Sequence, residues 1–257
     1  MKAIIVAAGM GRRLSPYTDD RPKCLVEIGG RPLLARQLEA YRAAGVQRFI
    51  IVRGYLGERL TAALQDEPGI EFVDNPDFRR NNILLSLMCA EEHLAGGFFF
   101  SYADIVFRPQ LVAAVRDAEG ELALCIDPHY AAVYQGRTDH PIEEAELAAV
   151  RDGRVVAVGK RAVPVEQAHG EFIGLMRVSA AGAERMRQTY RQRRQELGLS
   201  APYGRAPRLE VAYLTDLLTD LIAQGADLRA VDTPGPGSWR EIDTVQDLER
   251  ARAVLDW

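Results

Sequence analysis

Cysteine is scarce in this chain, and its few copies are scattered. Cys24, Cys89 and Cys125 lie far apart and show no C-x-x-C spacing. That excludes a disulfide framework and leaves three free thiols, expected to be buried and apolar. His93, His129, His140 and His169 are equally dispersed, so no Cys/His cluster has zinc spacing. An excess of positive charge is missing too: the formal net charge is −4. A duplex-binding protein is normally basic, so nucleic acid is not the expected partner, although a local cationic pocket for a small anion remains allowed. No apolar run reaches the length of a membrane span. The first residues, one lysine and a short apolar run before glycine, read as a strand rather than a signal peptide, and the expected location is the cytoplasm. Internal repeats, low-complexity linkers and the hexapeptide pattern of a β-helical tail are not found.

What is present is an ordinary globule with ample core: 47% hydrophobic and 26% charged residues in 257. Buried strands are expected at 3–6, 48–52, 70–73, 98–102 and 122–126, alternating with helices at 31–44, 57–66, 82–94 and 108–118. Such alternation predicts an α/β fold, a Rossmann-like mixed and mostly parallel sheet with helices on both faces. Beyond it the pattern changes. A hairpin turning at Asp152-Gly153 spans 148–160, and a strand follows at 172–178. Helices are expected at 179–197, capped by Ser179, and at 209–224 and 244–255. We read one domain, 1–257, with a nucleotide-binding half (1–126) and an acceptor-binding half (127–257). Arg185, Arg187, Arg191, Arg193 and Arg194 read as a solvated helix face paired with nearby acids. Asp247 and Glu249 read as solvated positions on the last helix.

The stretch VAAGMGRRLSPYTDDRPKCL, residues 6–25, follows the first strand. A dinucleotide fingerprint needs a third glycine where this chain has Leu14, and an acid where the second strand ends in Arg53. The G-x-x-x-x-G-K-[ST] loop is absent as well. A third reading is a long glycine-started loop that wraps a triphosphate. Ala7, Ala8, Gly9 and Gly11 let backbone N–H groups approach oxygens closely, Arg12, Arg13 and Lys23 supply positive charge, and Pro16 and Pro22 stiffen the turn. The bland alternative is a tight strand-to-helix turn with surface arginines.

Chemistry at a triphosphate calls for a divalent cation, and magnesium favours a few carboxylates plus water and phosphate oxygens. Asp104 ends the aromatic strand, where ligands of open α/β sheets gather. Asp243 precedes the last helix, where it or Thr244 could equally be an N-cap.

The loop, read as A-A-G-x-G-x-R-L-x-P-x-T and then P-K, resembles the signature of the nucleotidyltransferases that activate sugar phosphates and small phospho-alcohols, a GT-A-like fold. The resemblance implies that Gly9, Gly11 and Arg13 hold the β- and γ-phosphates and that Lys23 stabilises charge near the α-phosphate. SYADIVF and WREIDTVQDLERA resemble the metal-binding aspartate segments of the small cytidylyltransferases, which assigns Mg2+ to Asp104 and Asp243. The stretch from Asn81 resembles the base- and ribose-facing segment of the phosphocholine and phosphonate enzymes, with Asn82 and Ser86 as the matching positions, and this implies CTP. For a lone asparagine the simpler reading is an N-cap beside core leucines.

Segments of the second half resemble cytidylyltransferases of phosphonate pathways, found alone or fused to phosphoenolpyruvate mutase. The implied acceptor is a small phosphonate or phospho-alcohol, with phosphocholine or a hexose 1-phosphate (using UTP or dTTP) as alternatives. The strand that reads E-K-P in hexose enzymes reads Ala157-Val158-Gly159-Lys160-Arg161 here, which weakens the sugar reading. Arg137, Asp139, His140 and Glu171 could surround a zwitterion, the carboxylates pairing with its amine and Arg137 or Lys160 with its phosphonate, which leaves an amine and a quaternary ammonium both open. Tyr130, Tyr203 and Trp239 could wall a cationic head, or simply be core.

Overall fold

The computed structural model describes residues 1–254. In chain order the strands are β1 (Lys2–Ala7), β2 (Glu27–Ile28), β3 (Arg31–Pro32), β4 (Phe49–Arg53), β5 (Ile70–Asp74), β6 (Phe98–Tyr102) and β7 (Ile105–Phe107). They continue with β8 (Leu122–Asp127), β9 (Glu146–Arg151), β10 (Arg154–Lys160), β11 (Gly170–Val178), β12 (Leu228–Asp232) and β13 (Trp239–Glu241). The helices are α1 (Leu33–Ala43), α2 (Gly57–Ala63), α3 (Ile83–Cys89), α4 (Pro109–Asp117), α5 (Tyr130–Tyr134), α6 (Ala180–Leu197), α7 (Leu214–Ala223) and α8 (Val245–Val254).

Nine strands form one sheet in the order β5-β4-β1-β6-β11-β8-β12-β10-β9. Parallel pairing joins β5, β4, β1 and β6, and again β8 and β12, while β11 and β10 run against their neighbours. This is the mixed α/β sheet that the alternation predicts. The strand period of two sorts the core onto both faces. Ile4, Val6, Ile50, Val52 and Phe100 point to the side packed by α3, α6 and α7. Ala3, Ile5, Phe49, Ile51 and Phe99 point to the side packed by α1 and α4.

Four short elements were not predicted: α5, β12, the ribbon of β7 with β13, and the ribbon of β2 with β3, whose second strand takes residues 31–32 from the helix expected at 31–44. The expected helix at 209–224 is split. A single 3-10 turn covers Leu209–Val211, and α7 then restarts where the Asp216 carboxylate accepts the Tyr213 N–H at 2.8 Å. The helix expected over 82–94 ends at Cys89, and residue 255 of the last predicted helix lies outside the described residues. Cys24 and Cys125 are buried as expected, but Cys89 is exposed, because it falls on the outward side of α3. The arginine stretch of α6 is paired with acids, including Arg185 with Glu121 and Arg193 with Asp220. No helix among the described residues is long and apolar enough to cross a membrane.

Candidate active site

The cleft lies at the carboxyl ends of β1 and β6 and encloses about 500 Å³. Its floor begins where β1 runs into the loop at Ala8–Gly11. Gly11 has φ +59, and a Cβ there would stand 2.9 Å from the Lys23 Cβ, so both conformation and space demand glycine. The Thr18 hydroxyl donates to the Gly11 carbonyl at 2.9 Å, and Leu14 is fully buried. These anchors fold the loop back so that Lys23, on a 3-10 turn after Pro22, faces the cleft.

Asp104 and Asp243 meet through the β7–β13 ribbon. Ile105 pairs with Glu241, and the Ile242 N–H donates to the Asp104 carbonyl at 2.9 Å. The turn ahead of β7 is held by buried Gln37, whose amide donates to the carbonyls of Tyr102 (2.8 Å) and Ile105. The Lys23 ammonium then bridges the two carboxylates, 2.8 Å from Asp104 Oδ2 and 2.5 Å from Asp243 Oδ1. Arg13 and His140 also pair with Asp243, the latter at 3.0 Å. Burial alone would lower the lysine, but Asp104 and then Asp243 hold it above the ordinary ammonium range. Burial would likewise raise Asp243, yet the charge of Lys23, the hydrogen bonds from His140 and Lys23, and the charge of Arg13 hold it far below the usual carboxylate range. Asp104 Oδ1 is buried with no hydrogen-bond partner. An all-oxygen pair of carboxylates with one oxygen to spare suits a hard cation such as magnesium.

Behind this pair lies a layer that sequence reasoning misplaced. Arg137 was expected to meet substrate. Instead its side chain is 2% exposed, and it grips Asp247 (2.7 Å) and Glu241 (2.7 Å). Asp247, expected to be solvated, is buried. Its Oδ2 accepts the N–H groups of Asp243 (3.2 Å) and Thr244 (2.9 Å), while its own N–H donates to the Thr244 hydroxyl at 3.1 Å. Thr244, not Asp243, is therefore the cap of α8.

The other end of the cleft is built by β9, β10 and β11. Glu146 accepts the Tyr102 hydroxyl at 2.8 Å and the Thr215 hydroxyl at 3.1 Å. Lys160, opposite Glu146 in register, is held by Glu144 at 2.9 Å and lies 5.2 Å over the Tyr213 ring. Glu171 accepts the Tyr134 hydroxyl at 2.6 Å. Burial, followed by the charge of Glu241, pushes the Glu171 carboxyl up to about 8.

Of the expected residues, the cleft gathers Ala7, Ala8, Gly9, Gly11, Arg12, Arg13, Lys23, Asn82, Ser86, Asp104, His140, Lys160, Glu171, Trp239 and Asp243 along its walls. Asn82 also caps α3, its side-chain oxygen accepting the Ile83 N–H at 2.8 Å. Buried Asn75 donates to both Asn81 and Ser86 at 2.9 Å. Four residues are not gathered. Tyr203 is a core residue whose hydroxyl donates to Asp220 at 3.1 Å. Tyr130 belongs to a small apolar cluster with Tyr134 and Val163. Asp139 is exposed beside Gln246, and Arg137 is consumed by its carboxylate partners. The residues missed are Glu146, Glu241, Tyr102 and Tyr213. Glu241 lies inside WREIDTVQDLERA, and that segment's resemblance is the one signal that could have found it.

The fold is that of a nucleotidyltransferase, and the chain is an enzyme of this class. Residues 3–195 match the family described as MobA-like NTP transferase domain, and the chain belongs to that family. It is 30% identical over 255 residues to the CTP:phosphoglutamine cytidylyltransferase of Campylobacter jejuni, covering 97% of this chain and 98% of that one. It is 28% identical over 185 residues to the 2-aminoethylphosphonate cytidylyltransferase of Lancefieldella rimae, covering 72% and 69%. The solved structure of the CTP:phosphocholine cytidylyltransferase from Streptococcus pneumoniae superposes with a TM-score of 0.76 at 24% identity, over 99% of each chain.

Proposed function

We propose that the protein is a magnesium-dependent cytidylyltransferase that transfers CMP from CTP to a small phosphonate or phospho-alcohol. The observation that carries this reading is the Lys23 ammonium held between Asp104 and Asp243 at the end of the Gly9–Gly11 loop. The named cytidylyltransferase relatives support the base and the acceptor class. The nucleotide-binding half is then 1–126, and the acceptor-binding half is 127–257.

In this reading the triphosphate lies along the loop. A Cβ on Gly9 would meet no protein atom within 4 Å, so packing does not require glycine there, whereas an approaching phosphate does. Arg12 and Arg13 take the outer phosphates, and Asn82 and Ser86 border the base. An acceptor oxygen attacks the α-phosphorus in line. The new P–O bond forms as the bond to the β-phosphate breaks, and pyrophosphate departs with the electron pair. The acceptor oxygen is already anionic, so no residue needs to remove a proton. Magnesium held by Asp104 and Asp243 would neutralise phosphate charge. Lys23 contributes fixed positive charge where negative charge gathers on the α-phosphate. Lys160 meets the acceptor's anionic group, and His140 and Trp239 close the wall beside it.

A panel of acceptors (aminoalkyl- and hydroxyalkylphosphonates, phosphocholine, hexose 1-phosphates), each offered with CTP, UTP and dTTP, tests the reading through pyrophosphate release. CTP with a small phosphonate or phospho-alcohol is expected to be turned over fastest. A hexose 1-phosphate with UTP or dTTP in first place would overturn it.

A further inference from the structure

One carboxylate oxygen at the acceptor end has nothing to bond. Glu171 is 6% exposed, lines the cleft, and already uses Oε1 to accept the Tyr134 hydroxyl at 2.6 Å. Its Oε2 is buried with no hydrogen-bond partner. The neighbouring acid differs: Glu146 has a hydroxyl on each oxygen, from Tyr102 and Thr215. A buried acceptor left open costs free energy unless a ligand donor fills it.

Tyr213, Trp239 and Tyr102, which line the same cleft, are already engaged. Tyr213 is covered by Lys160 at 5.2 Å from its ring centroid. Trp239 is 2% exposed, with its indole N–H tied to Asp127 at 2.7 Å. Tyr102 packs edge-on against Phe100 and Phe172. Tyr130 and Tyr203 stand outside the cleft. A quaternary ammonium has no N–H and is recognised by bare aromatic faces. An ammonium with N–H groups is recognised by open carboxylate oxygens.

We propose that Glu171 selects the acceptor, and that the acceptor carries a protonated amine with N–H groups rather than a quaternary ammonium or a hydroxyl. The inference rests on the proposed cytidylyl transfer and names the acceptor of that same site. The raised position of the Glu171 carboxyl agrees with it: burial and the charges of Glu241 and Asp127 hold a proton there, opposed by Arg137 and the Tyr134 hydroxyl, until a cation arrives. Lys160, fixed by Glu144, then faces the other end of the acceptor, the phosphonate.

The test uses three acceptors of equal chain length: an ω-aminoalkylphosphonate, its N,N,N-trimethyl counterpart and its ω-hydroxy counterpart. With the wild-type protein and CTP, kcat/KM is expected to favour the amine by about ten- to a hundredfold, the range of a charge-assisted hydrogen bond. In Glu171→Gln, an isosteric change, the preference is expected to collapse through a higher KM for the amine with kcat little altered. Equal or better use of the trimethyl or hydroxy compound by the wild type, or a preference that survives in Glu171→Gln, would overturn the inference. If no acceptor releases pyrophosphate, the reading of the reaction fails, and calorimetric binding of the same three compounds decides the inference separately. Tighter binding of the amine, lost in Glu171→Gln, supports it; equal binding of all three overturns it.

Discussion

A carboxyl held at about 8 keeps its proton through much of the neutral range, and Glu171 is in that position because it is buried and faces Glu241. The sign of its effect on folding follows. In the unfolded chain the group ionises near the ordinary glutamate value of about 4.3, whereas in the folded chain it does so only near 8. Between those values the unfolded state binds fewer protons, so the group's contribution to stability falls as pH rises and then levels off. Glu171→Gln is therefore expected to raise the Tm of the free protein, by a margin that grows from pH 5 to pH 8 and is flat above. A margin that shrinks with rising pH would show that the carboxyl is not held up by its surroundings. Lys23 stands in the opposite situation, since its charge is favoured by Asp104 and Asp243. Lys23→Met is expected to lower kcat about a hundred- to a thousandfold while the far-ultraviolet circular dichroism is unchanged; steady-state turnover checks it. Lys23 and Asp104 could be picked out locally, one in a proline-marked turn and the other at the end of an aromatic strand, whereas Asp243 read equally as a helix cap and was singled out only by the resemblance of its segment. Gln37 and Asp247 were not, because their partners lie far along the chain: Gln37 binds carbonyls near Asp104, and Asp247 binds Arg137 across 110 positions.

The element that builds the site is the β7–β13 ribbon, three residues on each side. Strands that short leave no periodic signal, and their pairing joins segments more than a hundred residues apart, so the sequence showed two aspartates without showing why they meet. A second short element, α5 with the strap that follows it, is fastened to α8 by the buried Arg137–Asp247 pair and by Arg250, which donates to the carbonyls of Val133 and Gln135. Removing one partner of a buried pair leaves the other charge uncompensated. Arg137→Met is thus expected to cost about 3–5 kcal/mol in urea denaturation and to make the 135–144 strap a site of early proteolytic cleavage. The glycine loop is tested by Gly11→Ala. The left-handed backbone costs a side chain about 1–2 kcal/mol, and the new Cβ presses on Lys23. The expected result is a loss of about tenfold or more in kcat/KM for the nucleotide, measured by initial rates, with a smaller change in Tm than Arg137→Met gives.

At the scale of the whole molecule, the two halves of the chain share one sheet. β11 of the second half is wedged between β6 and β8 of the first, so the wall expected to take an acceptor is continuous with the wall that carries the loop. The parallel half was readable because β1 and β4 are apolar runs apart from one terminal charge each and its helices follow a 3.6-residue period, as in α1. The later half was readable only in part. β12 has mixed burial and charged residues at its second and last positions, Arg229 and Asp232, and its place beside β8 depends on contacts that no local pattern records. The most direct measurement of the central claim is the product itself. The protein is incubated with CTP, magnesium and an ω-aminoalkylphosphonate, and phosphorus NMR with mass spectrometry follows every phosphorus atom. The account predicts one pyrophosphate for each CMP joined to the phosphonate through a new P–O–P linkage, and none of either once Asp104 is replaced by Ala. CDP with free phosphate, or CTP that binds and is never consumed with any acceptor, would contradict it.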